Sequence, residues 1–205
     1  REEAKHGFRK TLWNIAVVLL VAAALTALAA TRLFVLIRIN GNSMEPTLAN
    51  GWIHALTIPR ELYVNEESLL CQRPLKELEG LRKEKASGKL SEGLEKKTSS
   101  CFELKLLMQE KTEDFELHLR ESAVLSYKEG ILQLDMTGCG SGRTVRSLKT
   151  EKLWKLQIFS DTTSLEIFVN DGVDVFTTRI YDSMENLRIW TAAGKMQGEW
   201  EYYSI

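Results

Sequence analysis

Ile158–Asp182 reads IFSDTTSLEIFVNDGVDVFTTRIYD, and this stretch decides the fold of the second half of the chain. Leu156 and Ile158 stand at alternate positions, as do Leu165, Ile167 and Val169, and the polar run Ser160–Ser164 separates the two sets. Apolar residues at every second position put one face of a strand in a core and leave the other outside. The break between the sets is short, so the strands are antiparallel neighbours. Asn170-Asp171-Gly172 then stands between two such runs, and tight hairpin turns need residues that tolerate positive φ. Val173 and Val175 face one way before Thr177.

The same period runs outward in both directions. Phe102, Leu104 and Leu106 alternate, as do Phe115, Leu117 and Leu119; Leu187 and Ile189 begin a further run, and Trp200 lies in the last. About eight to ten strands at this spacing predict an antiparallel β-sandwich over 101–205. Leu81–Ser100, LRKEKASGKLSEGLEKKTSS, is charged and carries Gly and Ser, so it reads as a solvated loop or broken helix. The acids Asp161, Glu166, Asp171, Asp174 and Asp182 fall in turns or on outward strand faces and read as solvated surface.

Composition narrows the function classes. The 205 residues carry 27 Lys+Arg against 28 Asp+Glu, a formal net charge of −1. No basic excess marks a nucleic-acid footprint. The three cysteines, Cys71, Cys101 and Cys139, are odd in number and far apart. They form no zinc motif and read as free thiols suited to a reducing compartment. No metal or cofactor is expected.

The first fifty residues differ in kind. Thr11–Thr31, TLWNIAVVLLVAAALTALAAT, holds no charged residue. About 21 residues make a helix of roughly 31 Å, enough to cross a bilayer. Arg1, Lys5, Arg9 and Lys10 precede it, which favours a cytoplasmic N-terminus and an exported C-terminal part. Two competing readings stay open: a signal peptide cleaved at the small-residue ALAA, and a buried core helix. The fold class is therefore mainly β, an antiparallel β-sandwich preceded by one N-terminal transmembrane helix. The expected organisation is a cytoplasmic N-terminus (1–10), a transmembrane helix (11–31), a serine box (32–51), a lead-in segment (52–80), a charged loop (81–100) and the sandwich (101–205).

Two resemblances attach to these parts. Asn42-Ser43-Met44-Glu45-Pro46-Thr47-Leu48, just past the apolar run, resembles the nucleophile box of bacterial type I signal peptidases. That resemblance implies Ser43 as a serine nucleophile, with a lysine as its base. A serine hydroxyl is weak without an adjacent base. No later pattern nominates Lys76, Lys83 or Lys85, and no Asp partners His6, His54 or His118 at a suggestive spacing.

From Trp52 onward the chain resembles the C-terminal β-sandwich of glycoside hydrolase family 32, the invertase and sucrose-6-phosphate hydrolase family. The residues that carry the likeness are Gly51–Leu62 (GWIHALTIPREL), Leu70–Glu79 (LCQRPLKELE) and the Ile158–Asp182 stretch. The resemblance implies a module that packs on a five-bladed catalytic propeller and takes part in oligomer contacts. The family's catalytic acids lie in an N-D-P-N-G-type box, an R-D-P box and a glutamate-cysteine box, and none of these occurs in the 205 residues. Glycoside hydrolysis needs two carboxylates facing one bond, so no glycosidase catalytic residue is expected here. Three functional readings follow: a membrane-tethered, non-catalytic sandwich; part of a split β-fructofuranosidase-type hydrolase; and a signal peptidase remnant acting through Ser43. The expected partners are the membrane, a family 32 propeller or a second copy. The expected place is a single-pass membrane protein with its sandwich outside, although the thiols suggest a cytoplasmic origin for that half.

Overall fold

The computed structural model describes residues 56–109, 113–120, 122–181, 187–192 and 196–205. The readings over 1–55, including the membrane segment Thr11–Thr31 and Ser43, lie outside the described residues. Among the described residues no helix is long and apolar enough to cross a membrane.

The described residues belong to one compact unit, Ala55–Ile205. A two-stranded hairpin, β1 (Arg60–Val64) and β2 (Leu70–Pro74), opens it, and a 3₁₀ turn (Lys76–Leu81) follows. Twelve strands then build two sheets. They are β3 (Lys85–Lys89), β4 (Leu94–Lys97), β5 (Phe102–Met108), β6 (Phe115–Leu119), β7 (Ala123–Lys128), β8 (Ile131–Asp135), β9 (Val145–Lys149), β10 (Lys155–Asp161), β11 (Ser164–Val169), β12 (Asp174–Arg179), β13 (Arg188–Thr191) and β14 (Gly198–Ser204). The first sheet has the order β12-β11-β10-β5-β14-β3, the second β4-β13-β6-β7-β8-β9, and every neighbouring pair is antiparallel.

The alternation read from the sequence is the register of the core. Ile158 faces Ile167, and Leu156 faces Val169. Leu104 and Leu106 of β5 pack in the same cluster as Leu117 and Leu119 of β6 and Leu132 and Leu134 of β8, so both sheets close on one interior. Full burial of a leucine stabilises by about 1.5–3 kcal/mol, and this cluster is the main force holding the sheets together.

Three expectations are corrected. The charged stretch 81–100 is not a loop throughout, because Lys85–Lys89 pairs with β14 and Leu94–Lys97 pairs with β13. Both are outermost strands of their sheets. Ala86 and Gly88 are the only inward residues of β3, so its apolar signal is faint. Gly88 is glycine because the Trp200 indole lies 2.9 Å from where a Cβ would stand. The lysines of both strands keep the open edges soluble and unpaired. Second, the sheets hold more than eight to ten strands, since short edge strands show little alternation. Third, the inward residues of β12 are Phe176 and Thr178, followed by Ile180, while Val173 is exposed in the turn.

Candidate functional site

The lead-in residues 56–82 are tied to the sandwich by side chains that the first sheet presents on its face away from the core. Glu166 of β11 is 2 % exposed, although the sequence placed it on the solvated surface. It does point outward from the core, but the lead-in segment covers it. Its carboxylate accepts hydrogen bonds from the Ile58 backbone N–H at 2.8 Å and from Arg60, with which it forms an ion pair. Arg60 also donates to Gln72 Oε1 at 2.8 Å and to Thr177 Oγ1 at 2.7 Å, and its guanidinium lies 5.1 Å from the Phe168 ring centre.

A second tie lies beyond the 3₁₀ turn. Glu103 of β5 is 1 % exposed and takes both Nε (2.6 Å) and Nη2 (2.9 Å) of Arg82. Gln157 Nε2 donates to the same carboxylate at 2.7 Å. Arg82 rests 4.5 Å from the Tyr203 ring centre. The hydrogen bond to Glu103 holds the Arg82 guanidinium above its usual range. Paired arginine and carboxylate groups of this kind bond in a fixed planar geometry, which fixes orientation as well as attraction.

The third tie is the hairpin turn between β11 and β12. Asn170, Asp171 and Gly172 all have positive φ, at 49°, 57° and 81°. The Gly172 backbone meets β2 so closely that a Cβ would stand 1.6 Å from the Gln72 carbonyl oxygen. Tyr63 Oη donates to the Asp171 carbonyl at 2.7 Å, and burial pushes its phenol pKa up. Asn170 Oδ1 accepts from the Trp154 backbone N–H at 3.0 Å, and its Nδ2 donates to the Lys152 carbonyl at 2.6 Å.

The hairpin so anchored presents apolar side chains to the outside. Val64 pairs with Leu70, and Leu62 lies two residues along the same face. These three are 65 %, 65 % and 61 % exposed, and Leu56, Leu69 and Leu81 add 93 %, 43 % and 51 %. These side chains contribute little to the sandwich core and leave apolar area open to solvent on the hairpin.

The described carboxylates are arranged for structure. Glu103 and Glu166 are saturated by arginines. Asp161 accepts from the Thr162 N–H at 2.7 Å, which lowers its pKa, and takes the Cys101 thiol at 3.2 Å. Asp171 pairs with Lys155 at 2.5 Å, Asp174 lies at the start of β12, and Asp182 lies outside the described residues. A general acid for sugar hydrolysis needs its pKa raised, whereas Glu61, Asp135, Asp161 and Glu201 are all shifted down by hydrogen-bonded partners. Among the described residues no group of three His, Cys, Asp or Glu side chains could hold a metal ion. Cys71, Cys101 and Cys139 form no disulfide; Cys71 and Cys139 are buried and Cys101 is half-buried.

A two-sheet antiparallel sandwich with an anchored lead-in hairpin is the class these observations define. The family model for the C-terminal domain of glycosyl hydrolases family 32 matches residues 76–204, and the chain belongs to that family. It is 37 % identical to the sucrose-6-phosphate hydrolase of Staphylococcus xylosus over 180 residues, covering 78 % of this chain and 36 % of the relative. Against the Bacillus subtilis (strain 168) sucrose-6-phosphate hydrolase it is 30 % identical over 162 residues, covering 73 % and 33 %. The solved structure of the Lactobacillus gasseri sucrose-6-phosphate hydrolase shares the fold, with a TM-score of 0.64 at 22 % identity over 71 % of this chain and 33 % of that one. The chain thus spans about a third of the length of these relatives.

Arg60, Arg82 and Glu103 were not singled out by sequence reasoning. No local signal announced them, because their partners lie on strands distant in the chain.

Proposed function

We propose that residues 56–205 are the non-catalytic sandwich module of a β-fructofuranosidase-type hydrolase, of the sucrose-6-phosphate hydrolase kind. In this reading the hairpin β1–β2 is the seat for the catalytic propeller. The observation that carries it is the exposed cluster Leu62, Val64 and Leu70 on a lead-in segment that Arg60–Glu166 and Arg82–Glu103 hold to the sandwich. A seat of this kind gives a partner apolar area without ordering cost, because the hairpin is already in place.

The test is complementation. The chain is mixed with the separately produced N-terminal two-thirds of the Staphylococcus xylosus relative, and fructose release from sucrose 6-phosphate is assayed. The expected result is a gain in activity over the N-terminal part alone. Leu62→Glu or Leu70→Glu removes burial of about 1.5–3 kcal/mol and so weakens the pairing at least about tenfold. No gain, or a gain indifferent to both substitutions, refutes the seat. A chain that self-associates through the hairpin points instead to a second copy as the partner.

The uncharged run Thr11–Thr31 supports tethering of this module to a membrane, N-terminus inside and sandwich outside. Alkaline carbonate washing of membranes from expressing cells is expected to leave the full chain in the pellet. Release into the wash contradicts tethering.

A further inference from the structure

A cleft opens at the tip of the hairpin, bordered by the anchoring residues Tyr63, Asn170 and Asp171 and by Val64 of the proposed seat. It holds about 830 Å³, and its walls include Tyr63, Glu66, Glu67, Lys152, Trp154 and Asp171. That volume lies in the range of small-molecule sites, about 300–1,000 Å³.

Trp154 gives the cleft its character. Its side chain is among the exposed large apolar groups, at 41 %. Its backbone is held on both sides, with the N–H donating to Asn170 Oδ1 at 3.0 Å and the carbonyl accepting from the Met108 N–H at 2.8 Å. The Lys155 ammonium lies 6.0 Å from the ring centre and is itself held by Asp171. The indole therefore stands open on a fixed backbone, and a ligand stacking on it orders little that is not already ordered. The opposite wall is equally set, because Tyr63 is bonded to the Asp171 carbonyl.

Charge narrows the ligand. Glu66 and Glu67 face the cleft together with Lys152, while Asp171 and Lys155 neutralise each other. An excess of carboxylates repels a phosphate or carboxylate ligand and attracts hydroxyl donors. A sugar ring offers an apolar C–H face for an aromatic ring and hydroxyls around its edge, which matches this lining.

The geometry points to a binding site for a short neutral oligosaccharide, with the Trp154 indole as its stacking platform and Glu66 and Glu67 as hydroxyl acceptors. The cleft shares Val64 with the proposed seat, so the sugar is read here as a ligand of this chain on its own.

The test uses the full chain, ¹⁵N-labelled, in a detergent without a sugar headgroup. The five tryptophans report through their indole N–H resonances. The chain is titrated with the neutral trisaccharides maltotriose and 1-kestose, and with glucose 6-phosphate as the anionic comparison. The expected result is a saturable shift of the Trp154 resonance with at least one trisaccharide. That response is lost in Trp154→Ala, whose other indole signals stay in place because the side chain is exposed. Glu66→Gln is expected to weaken binding about tenfold, the effect of one charge-assisted hydrogen bond. The proposal is overturned if neither trisaccharide gives a saturable shift, if binding survives Trp154→Ala, or if glucose 6-phosphate binds as well as the neutral sugars.

Discussion

Replacing Gly172 by alanine is expected to dislodge the lead-in hairpin and to lower stability by about 3–5 kcal/mol, among the largest effects of a single methyl group. Two costs add. At φ 81° an L-residue is strained by about 1–2 kcal/mol. The new Cβ would also stand 1.6 Å from the Gln72 carbonyl oxygen and 2.7 Å from its carbon, both rigid backbone atoms. Either β2 or the turn must move. Gly130 separates the two costs, because it has φ 78° but nothing nearer than 3.8 Å to an added Cβ. Gly130→Ala should therefore lose only the conformational part, about 1–2 kcal/mol. Thermal unfolding of the two variants measures the difference. Reaction of Cys71 with a thiol reagent shows where Gly172→Ala acts, since Cys71 is fully buried when the hairpin is seated. Equal losses at Gly172 and Gly130, with Cys71 still protected, would contradict the close approach.

The second large effect is expected at Glu103. Glu103→Ala leaves the Arg82 guanidinium and the Gln157 amide without their shared acceptor on a surface where the carboxylate is 1 % exposed. Breaking one side of a buried pair costs about 3–5 kcal/mol, and the Glu79 carboxylate, 3.2 Å from Arg82, offsets part of that loss. Removing both sides with apolar groups of similar size leaves no unpaired arginine, and only the Gln157 amide still lacks its acceptor. The double substitution Arg82→Met with Glu103→Leu should therefore recover most of the loss. Denaturant unfolding of the single and double variants decides it, and a double variant as unstable as Glu103→Ala would show that the pair contributes more than the mutual neutralisation of its charges.

What was legible in the sequence follows from where each residue's partners lie. The pairing of Leu156 and Ile158 with Ile167 and Val169 could be read because both strands are central, with aliphatic residues at every second position on each side of a short polar turn. The turn at Asn170-Asp171-Gly172 could be read because its residue types tolerate the positive φ that all three adopt. β3 and β4 could not, because an outermost strand buries few side chains and needs charge along its free edge. Glu166 escaped for a different reason. Its position in β11 does point away from the core, and only the arrival of Arg60, 106 residues earlier, buries it. No local pattern announces a contact across that distance. Ser43 has no geometry to weigh, since it lies outside the described residues.

The central claim is that the hairpin β1–β2 seats the rest of a family 32 hydrolase. Amide hydrogen exchange of the chain, alone and mixed with the N-terminal two-thirds of the Staphylococcus xylosus relative, tests it most directly. Added protection confined to Arg60–Pro74 and its flanks, with β8 and β9 unchanged, is the predicted result. Exchange across Arg60–Pro74 that is the same with and without the partner would contradict it.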